Sequence, residues 1–133
     1  LMTLTIDPLA VILGSASGLY ASAVLLVNNI RDLETDKASG KKTIAVRLGD
    51  KRSRVLFLVL IYVPVALNVL LVLIYPAVVI GLLNLLLLVP ISGIALSGKT
   101  PKELITALKL TSLAGFGYGL LVGIGLFVVS FGL

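Results

Sequence analysis

Two carboxylates lie four residues apart, at Asp32 and Asp36, where a long uncharged segment of the chain ends. On a helix, residues at i and i+4 share one face, and Asn28 lies one turn earlier on that face. Carboxylate oxygens suit a hard cation such as Mg²⁺, which takes one or two of them and completes its shell with water and substrate phosphate oxygens. The spacing therefore predicts a Mg²⁺ site with Asp32 and Asp36 as its protein ligands.

The alternative is that both aspartates are ordinary surface acids, neutralised by lysine or arginine one helical turn away. Neither aspartate has a cationic residue at i±3 or i±4, whereas Glu34 has Arg31 on one side and Lys37 on the other. The sequence thus predicts that the glutamate is neutralised locally and that the two aspartates stay open for a cation from outside the helix.

A basic segment follows the aspartates and could hold the phosphate groups that such a metal ion would carry. Lys41, Lys42 and Arg47 are its candidate anion ligands. The lysines could equally mark membrane topology or contact anionic lipid headgroups. The position of Arg47 inside an apolar stretch favours a functional role for this residue.

The composition predicts a membrane protein. Hydrophobic residues make up 59% of the 133-residue chain, above the roughly 45–50% that is usual for soluble domains. Three runs carry no charge: Pro8–Ile30, Val55–Gly98 and Leu110–Leu133. A bilayer core needs roughly 20 apolar residues for each helix, so the first and last runs fit one span each and the middle run fits two.

The charges also predict the orientation of the chain. All 11 lysines and arginines fall within 31–54 and 99–109, which four spans place on one side of the membrane. Since such residues concentrate in cytoplasmic loops, we expect the aspartates on the cytoplasmic side of the cell (inner) membrane. The formal charge of +5 then reflects topology rather than nucleic-acid binding. The chain contains no cysteine or histidine, so any metal would be bound by oxygen.

These features predict an all-α membrane fold of four transmembrane helices joined by short turns and one long loop. The predicted helices cover 8–36, 51–74, 76–97 and 101–131, and the loop covers 35–51. Thr100 is expected to cap the last helix, with Pro101 at its first position. Asn68 and Asn84 are expected to form hydrogen bonds between helices.

Small residues predict where helices approach each other closely. On the first helix they are Gly14, Ser15, Ser17, Gly18, Ala21 and Ser22. On the last helix Gly115, Gly119 and Gly123 recur every four residues, accompanied by Gly117 and Gly125, and these glycines predict a packing face.

The aspartate segment closely resembles the second aspartate-rich motif of the UbiA superfamily of membrane prenyltransferases. The resemblance is carried by Asn28-Asn29-x-Arg31-Asp32-x-x-x-Asp36, Gly40-Lys41-x-Thr43 and Val46-Arg47-Leu48-Gly49. It is most similar to the branch that transfers polyprenyl groups to 1,4-dihydroxy-2-naphthoate in menaquinone synthesis. The resemblance implies a bundle of nine helices in which two aspartate motifs bind the diphosphate of a prenyl donor through Mg²⁺.

The resemblance also implies roles for individual residues. Asp32 and Asp36 would be the catalytic Mg²⁺ ligands, and Asn28 and Asn29 would support the site. The diphosphate contacts would come from Lys41, Lys42 and Arg47. An allylic cation, formed as diphosphate leaves, would alkylate the aromatic acceptor.

Only one aspartate motif and four helices are present, so the chain resembles the C-terminal part of such an enzyme. It also starts at Leu1 rather than at a methionine. We expect it to need N-terminal helices that carry the first motif, and to be inactive alone. Two alternatives stay open: a small membrane transporter with Asp32 and Asp36 at its cation entry, and a lipid-binding membrane scaffold without catalysis.

Overall fold

The computed structural model describes residues 7–131. Four of its helices are long and apolar enough to cross a membrane: Pro8–Arg31, Asp50–Val72, Pro76–Ser97 and Pro101–Ser130. No strand occurs within residues 7–131. The predicted all-α membrane fold with four transmembrane helices is confirmed, and the chain is a multi-pass membrane protein. The ends of the chain, 1–6 and 132–133, lie outside the described residues.

Six α-helices follow one another along the chain, and a 3₁₀ helix covers Pro76–Asn84 directly before α5. In order they are α1 (Pro8–Arg31), α2 (Leu33–Ala38), α3 (Ile44–Leu48), α4 (Asp50–Val72), α5 (Leu85–Ser97) and α6 (Pro101–Ser130). The 3₁₀ helix and α5 together form the third span.

The first predicted helix, 8–36, is divided at Asp32 into α1 and α2. Asp32 has φ −94° and ψ 9°, which lies in the bridge region rather than the helical one. Its backbone N–H still donates to the carbonyl of Asn28 at 3.1 Å. The chain therefore changes local geometry at the first aspartate without losing the helical hydrogen bond that positions it.

The segment predicted as a loop, 35–51, contains α3 and parts of two other helices. Thr43 starts α3, since its side chain accepts the backbone N–H of Val46 at 3.3 Å. Ala45 has no exposed surface, and α3 packs on α1, α2 and α4. The connection between the first two spans is therefore ordered in part, because a capped helical turn folds back against the ends of the spans.

The four spans form a ring. The first span packs on α4 and α6, and the 3₁₀ helix of the third span packs on the same two helices. Each span therefore buries one stripe toward the centre of the ring. On α4 the stripe follows a spacing of three and four residues, as an α-helix requires: Ser53, Phe57, Ile61, Pro64, Asn68 and Leu71.

Polar side chains join the spans inside the ring. Asn68 donates its Nδ2 proton to the carbonyl of Val78 at 3.1 Å, and Asn84 donates to the Tyr20 hydroxyl at 2.7 Å. Both asparagines are buried, where water is not available to replace these partners. The predicted hydrogen bonds between helices are confirmed for both residues.

The start of α6 also matches its prediction. The Thr100 hydroxyl accepts the backbone N–H of Glu103 at 3.3 Å. The Glu103 carboxylate in return accepts the backbone N–H of Thr100 at 2.9 Å. This capping box satisfies backbone donors that the first turn of a helix leaves free, and Pro101 occupies the first helical position.

The small-residue faces differ from their predictions. No atom lies within 4 Å of the Cβ positions at Gly14, Gly18, Gly119 and Gly123. The predicted faces therefore pack only in part within residues 7–131. Two glycines of the predicted α6 face make close contacts: a Cβ at Gly125 would lie 2.7 Å from the Ala77 carbonyl oxygen, and a Cβ at Gly115 would lie 3.0 Å from Tyr20 Cβ. Within the described residues the prediction is confirmed for Gly115 and Gly125 and wrong for Gly119 and Gly123.

Gly125→Ala should destabilise the bundle, because its added methyl group meets backbone atoms of the 3₁₀ helix. Overpacking of this kind costs about 1–3 kcal/mol. The matched control is Gly123→Ala, on the same helix with open space around it. Unfolding of both variants in detergent, followed by far-UV circular dichroism, should give a lower midpoint for Gly125→Ala alone. Equal midpoints would contradict the close contact of α6 with the third span.

Candidate functional site

The two aspartates lie at the charged end of the bundle, which comprises 31–54 and 99–109. Although α1 and α2 are separate helices, the Asp36 N–H donates to the Asp32 carbonyl at 2.8 Å. The Thr35 hydroxyl donates to the same carbonyl, also at 2.8 Å. These bonds hold the i, i+4 register across the break, so the aspartates remain one helical turn apart.

Asp32 is paired with its neighbour in the sequence. Arg31 donates from Nε to Oδ1 and from Nη2 to Oδ2, each at 2.8 Å. The expectation that Asp32 has no cationic partner is therefore wrong. Adjacent residues do not face each other on a continuous helix, but the helix ends between these two residues. The break lets the two side chains meet in a bidentate pair.

Asp36 is also paired. Its side chain is 8% exposed, and Oδ1 lies 3.3 Å from the Lys41 Nζ. The expectation of an open Asp36 is wrong as well, because only helical neighbours were considered. The chain reverses at Gly40, which has φ +74°, and Lys41 returns to donate its backbone N–H to the Asp36 carbonyl at 3.0 Å.

This reversal is a Schellman motif, in which a left-handed residue after the helix lets two N–H groups reach back to its last turn. The backbone N–H of Gly40 donates to the Lys37 carbonyl at 3.2 Å, and the backbone N–H of Lys41 donates to the carbonyl of Asp36, five residues earlier in the chain. Only glycine adopts such a conformation without strain. The glycine in Gly40-Lys41 therefore places the lysine on the aspartate.

The four charged groups form one cluster of two acids and two bases. The guanidinium of Arg31 lowers the pKa of the Asp32 carboxyl through its hydrogen bonds, and the charge of Lys41 lowers it further. Lys41 thus acts on both aspartates. Of the two cations expected beside Glu34, Lys37 lies 3.4 Å from its carboxylate, whereas Arg31 pairs with Asp32. The sequence feature that could have indicated the Arg31–Asp32 pair is that the two residues are adjacent at the end of the apolar segment.

Among the described residues, the remaining predicted site residues form no side-chain hydrogen bond or ion pair with this cluster. Asn28 is half-buried and supports Asp32 through its backbone carbonyl. Asn29 lines a separate cavity of about 270 Å³ that also includes Ile44 and Leu60. Lys42 and Arg47 are exposed. Within residues 7–131, neither forms an ion pair.

The donor set fits a hard divalent cation in part. Two carboxylates at one turn's spacing can supply two oxygen ligands, which Mg²⁺ accepts when water and phosphate oxygens fill its other positions. No group of three or more histidine, cysteine or acidic side chains within residues 7–131 could hold a metal ion. A metal ion here would therefore take most of its ligands from elsewhere, and it would displace at least part of the Arg31 and Lys41 contacts.

Known proteins resemble the chain over most of its length. The model of the UbiA prenyltransferase family matches residues 1–100. A 1,4-dihydroxy-2-naphthoate octaprenyltransferase of Mycobacterium tuberculosis is 40% identical over 107 residues, covering 80% of this chain and 37% of that protein. One of Mycobacterium leprae is 34% identical over 111 residues, covering 84% of this chain and 38% of that protein.

A protein of the same name from Haemophilus influenzae is 48% identical over 63 residues, covering 47% of this chain and 20% of that protein. The chain thus spans less than two fifths of the length of these relatives. No solved structure matches the chain significantly.

Arg31→Gln should raise the pKa of the Asp32 carboxyl, since the bidentate pair favours its ionised form. A carboxyl with a lowered pKa stabilises the fold above the pKa of the unfolded chain, and this stabilisation is lost as pH falls through the lower, folded value. The titration of Asp32 can be followed by NMR with ¹³C-labelled aspartate. The exposed Arg47→Gln is the control and should leave the Asp32 midpoint unchanged. An unchanged Asp32 titration midpoint in Arg31→Gln would contradict the ion pair between Arg31 and Asp32.

Proposed function

This chain belongs to the UbiA prenyltransferase family, and from that premise we propose that it takes part in transferring a polyprenyl group from a prenyl diphosphate to an aromatic acceptor. The named activity of its relatives points to 1,4-dihydroxy-2-naphthoate as the acceptor, in menaquinone synthesis. The observation that carries the proposal is the charge cluster, which holds two carboxylates one turn apart at the end of a membrane span.

We assign Asp32 and Asp36 as Mg²⁺ ligands that anchor the donor. When bound, Mg²⁺ stabilises the negative charge that develops on a departing diphosphate. The side chain of Asp36 is 8% exposed, so little water competes for its oxygens. The bidentate hold of Arg31 on Asp32 must loosen to free a ligand oxygen.

The cations of the segment are proposed to bind the diphosphate itself. Lys41 forms an ion pair with Asp36, and its charge lowers the pKa of Asp32. Its ammonium group could therefore contact a phosphate bound next to either carboxylate. Lys42 and Arg47 are exposed and can add donors to an arriving anion. Asn28 supports the site by holding the Asp32 backbone, and Asn29 is assigned the same supporting role beside it.

This part of the chain holds only half of the proposed site. No second acidic cluster is present within the described residues, and the relatives are more than twice as long as the matched region. We therefore propose that further helices with a second aspartate motif complete the metal site in a larger bundle. The concentration of lysine and arginine at the charged end supports a cytoplasmic position for the site.

Asp32→Asn and Asp36→Asn should each lower prenyl transfer by about 100-fold or more, because a metal ion contributes several kcal/mol to such a transition state. The test is the protein expressed from its gene with all flanking coding sequence, assayed with labelled prenyl diphosphate. Glu34→Gln is the matched control, since Glu34 lies between the two aspartates on an exposed face and should retain activity. Comparing 1,4-dihydroxy-2-naphthoate with 4-hydroxybenzoate, each with and without Mg²⁺, tests the acceptor and the metal.

The same substitutions separate this proposal from the two alternatives. A transporter would lose ion flux in Asp32→Asn, and a lipid-binding scaffold would change little. The uncharged stretch Val55–Gly98 opposes transport, because transporters usually carry ionisable residues near the middle of the membrane. Retained prenyl transfer in both aspartate variants would exclude the assigned ligands.

The 133-residue chain alone should show no turnover of prenyl diphosphate, since it offers two carboxylates where the proposed site needs more. The measurement is release of diphosphate by the purified chain in lipid nanodiscs with Mg²⁺. The complete gene product in the same nanodiscs is the positive control. Turnover by the short chain would refute the proposal that half of the site lies elsewhere.

A further inference from the structure

Two adjoining grooves open at the charged end of the bundle, and the smaller one borders the aspartate cluster through Arg31. The larger has a volume of about 500 Å³ and lies between the start of α4 and the turn from α5 to α6. The smaller has a volume of about 350 Å³ and lies between the junction of α1 and α2, the start of α4 and the start of α6. Asp50, Arg54 and Lys99 line both, and neither Asp32 nor Asp36 lines either one. We call the larger one the Arg54 groove.

Arg54 is held rigidly at the wall shared by the two grooves. Its Nε lies 2.9 and 2.8 Å from the two carboxylate oxygens of Asp50, and its Nη1 donates to the Ala95 carbonyl at the end of α5. The side chain is 14% exposed. No acceptor from residues 7–131 contacts its Nη2. The guanidinium is thus fixed in place with donors left for a ligand.

The rim of the Arg54 groove adds two exposed cations. Lys51 and Lys99 are exposed, and among the described residues neither forms an ion pair. The acids nearby are already engaged, since Asp50 binds Arg54 and Glu34 of the smaller groove binds Lys37. Glu103, next to Lys99, accepts the backbone N–H groups of Lys99 and Thr100. The end of α5 presents partial negative charge, which Arg54 offsets at Ala95. The groove therefore favours an anion.

The wall of the same groove is apolar on its membrane side. Val55 and Leu96 line it and are 54% and 55% exposed. Val55 begins the uncharged stretch of α4, so it marks the level at which the chain enters the hydrocarbon region. Cations above exposed aliphatic side chains match a molecule with an anionic head and an apolar tail.

We propose that the Arg54 groove binds the headgroup phosphate of an anionic phospholipid. The phosphate accepts hydrogen bonds from Arg54, while Lys51 and Lys99 close over it and the acyl chains lie along Val55 and Leu96. Basic pockets between membrane helices at the cytoplasmic surface bind such headgroups. A soluble phosphate uses the cations equally well but gains nothing from the aliphatic wall. This inference does not depend on prenyl transfer.

The test is binding of dioleoyl phosphatidylglycerol or dioleoyl phosphatidylcholine to the chain in detergent, with bound lipid counted by native mass spectrometry. The chain should prefer phosphatidylglycerol. In Lys51→Gln/Lys99→Gln its affinity for that lipid should fall by roughly 30-fold, about fivefold for each cation removed. Arg54 is left intact, because removing it would also free Asp50 and the end of α5.

The matched control is Arg52→Gln/Lys102→Gln, which removes the same charge from the same end of the bundle at positions that line neither groove. It should keep the preference, and far-UV circular dichroism should show equal helix content in both variants. An equal loss of affinity in both variants would overturn the proposal, since the effect would then be general surface charge. Displacement of phosphatidylglycerol by equimolar pyrophosphate would also overturn it, in favour of a soluble ligand.

Discussion

The low dielectric of the bilayer core confines the charges of this chain to the ends of its spans, and the candidate site depends on that confinement. A charge is expensive to bury in hydrocarbon, so Asp32 and Asp36 can exist beside a membrane helix only at its boundary and with compensation. The structure compensates them with Arg31 and Lys41. One boundary thus gathers two carboxylates and the cations paired with them, which are the groups that the proposed site requires.

The sequence predicted the four spans and the Thr100 cap well, because these depend on local properties. The length of an uncharged run is enough to identify a membrane helix, and the Thr100 capping box needs only two residues three positions apart. The i, i+4 register of the aspartates was predicted for the same reason. Even the hydrogen bonds of Asn68 and Asn84 followed from a general rule, since a buried amide between membrane helices requires a partner.

Pairing of the aspartates could not be predicted, because it depends on where helical geometry stops. The rule that side chains three or four residues apart are neighbours assumes a continuous helix. It fails at Asp32, where the helix breaks, and again at Gly40, where the chain reverses. The glycine of the reversal was visible in the sequence, but its consequence for Lys41 depends on three-dimensional folding. The small-residue faces were predicted only in part, for a different reason. Composition shows that a helix face permits close packing, but not which of its glycines a neighbouring helix reaches.

The counter-ions also bear on the order of events at the proposed site. A free divalent cation would find the carboxylates already paired with Arg31 and Lys41, and these cations would give up their contacts without gaining new partners. If the metal ion were bound to a diphosphate, the phosphate oxygens could accept the same cations. One set of ion pairs would then replace another, so fewer charges would be left uncompensated at the membrane boundary. The residues of the proposed site therefore suit a metal ion bound to diphosphate better than a metal ion alone.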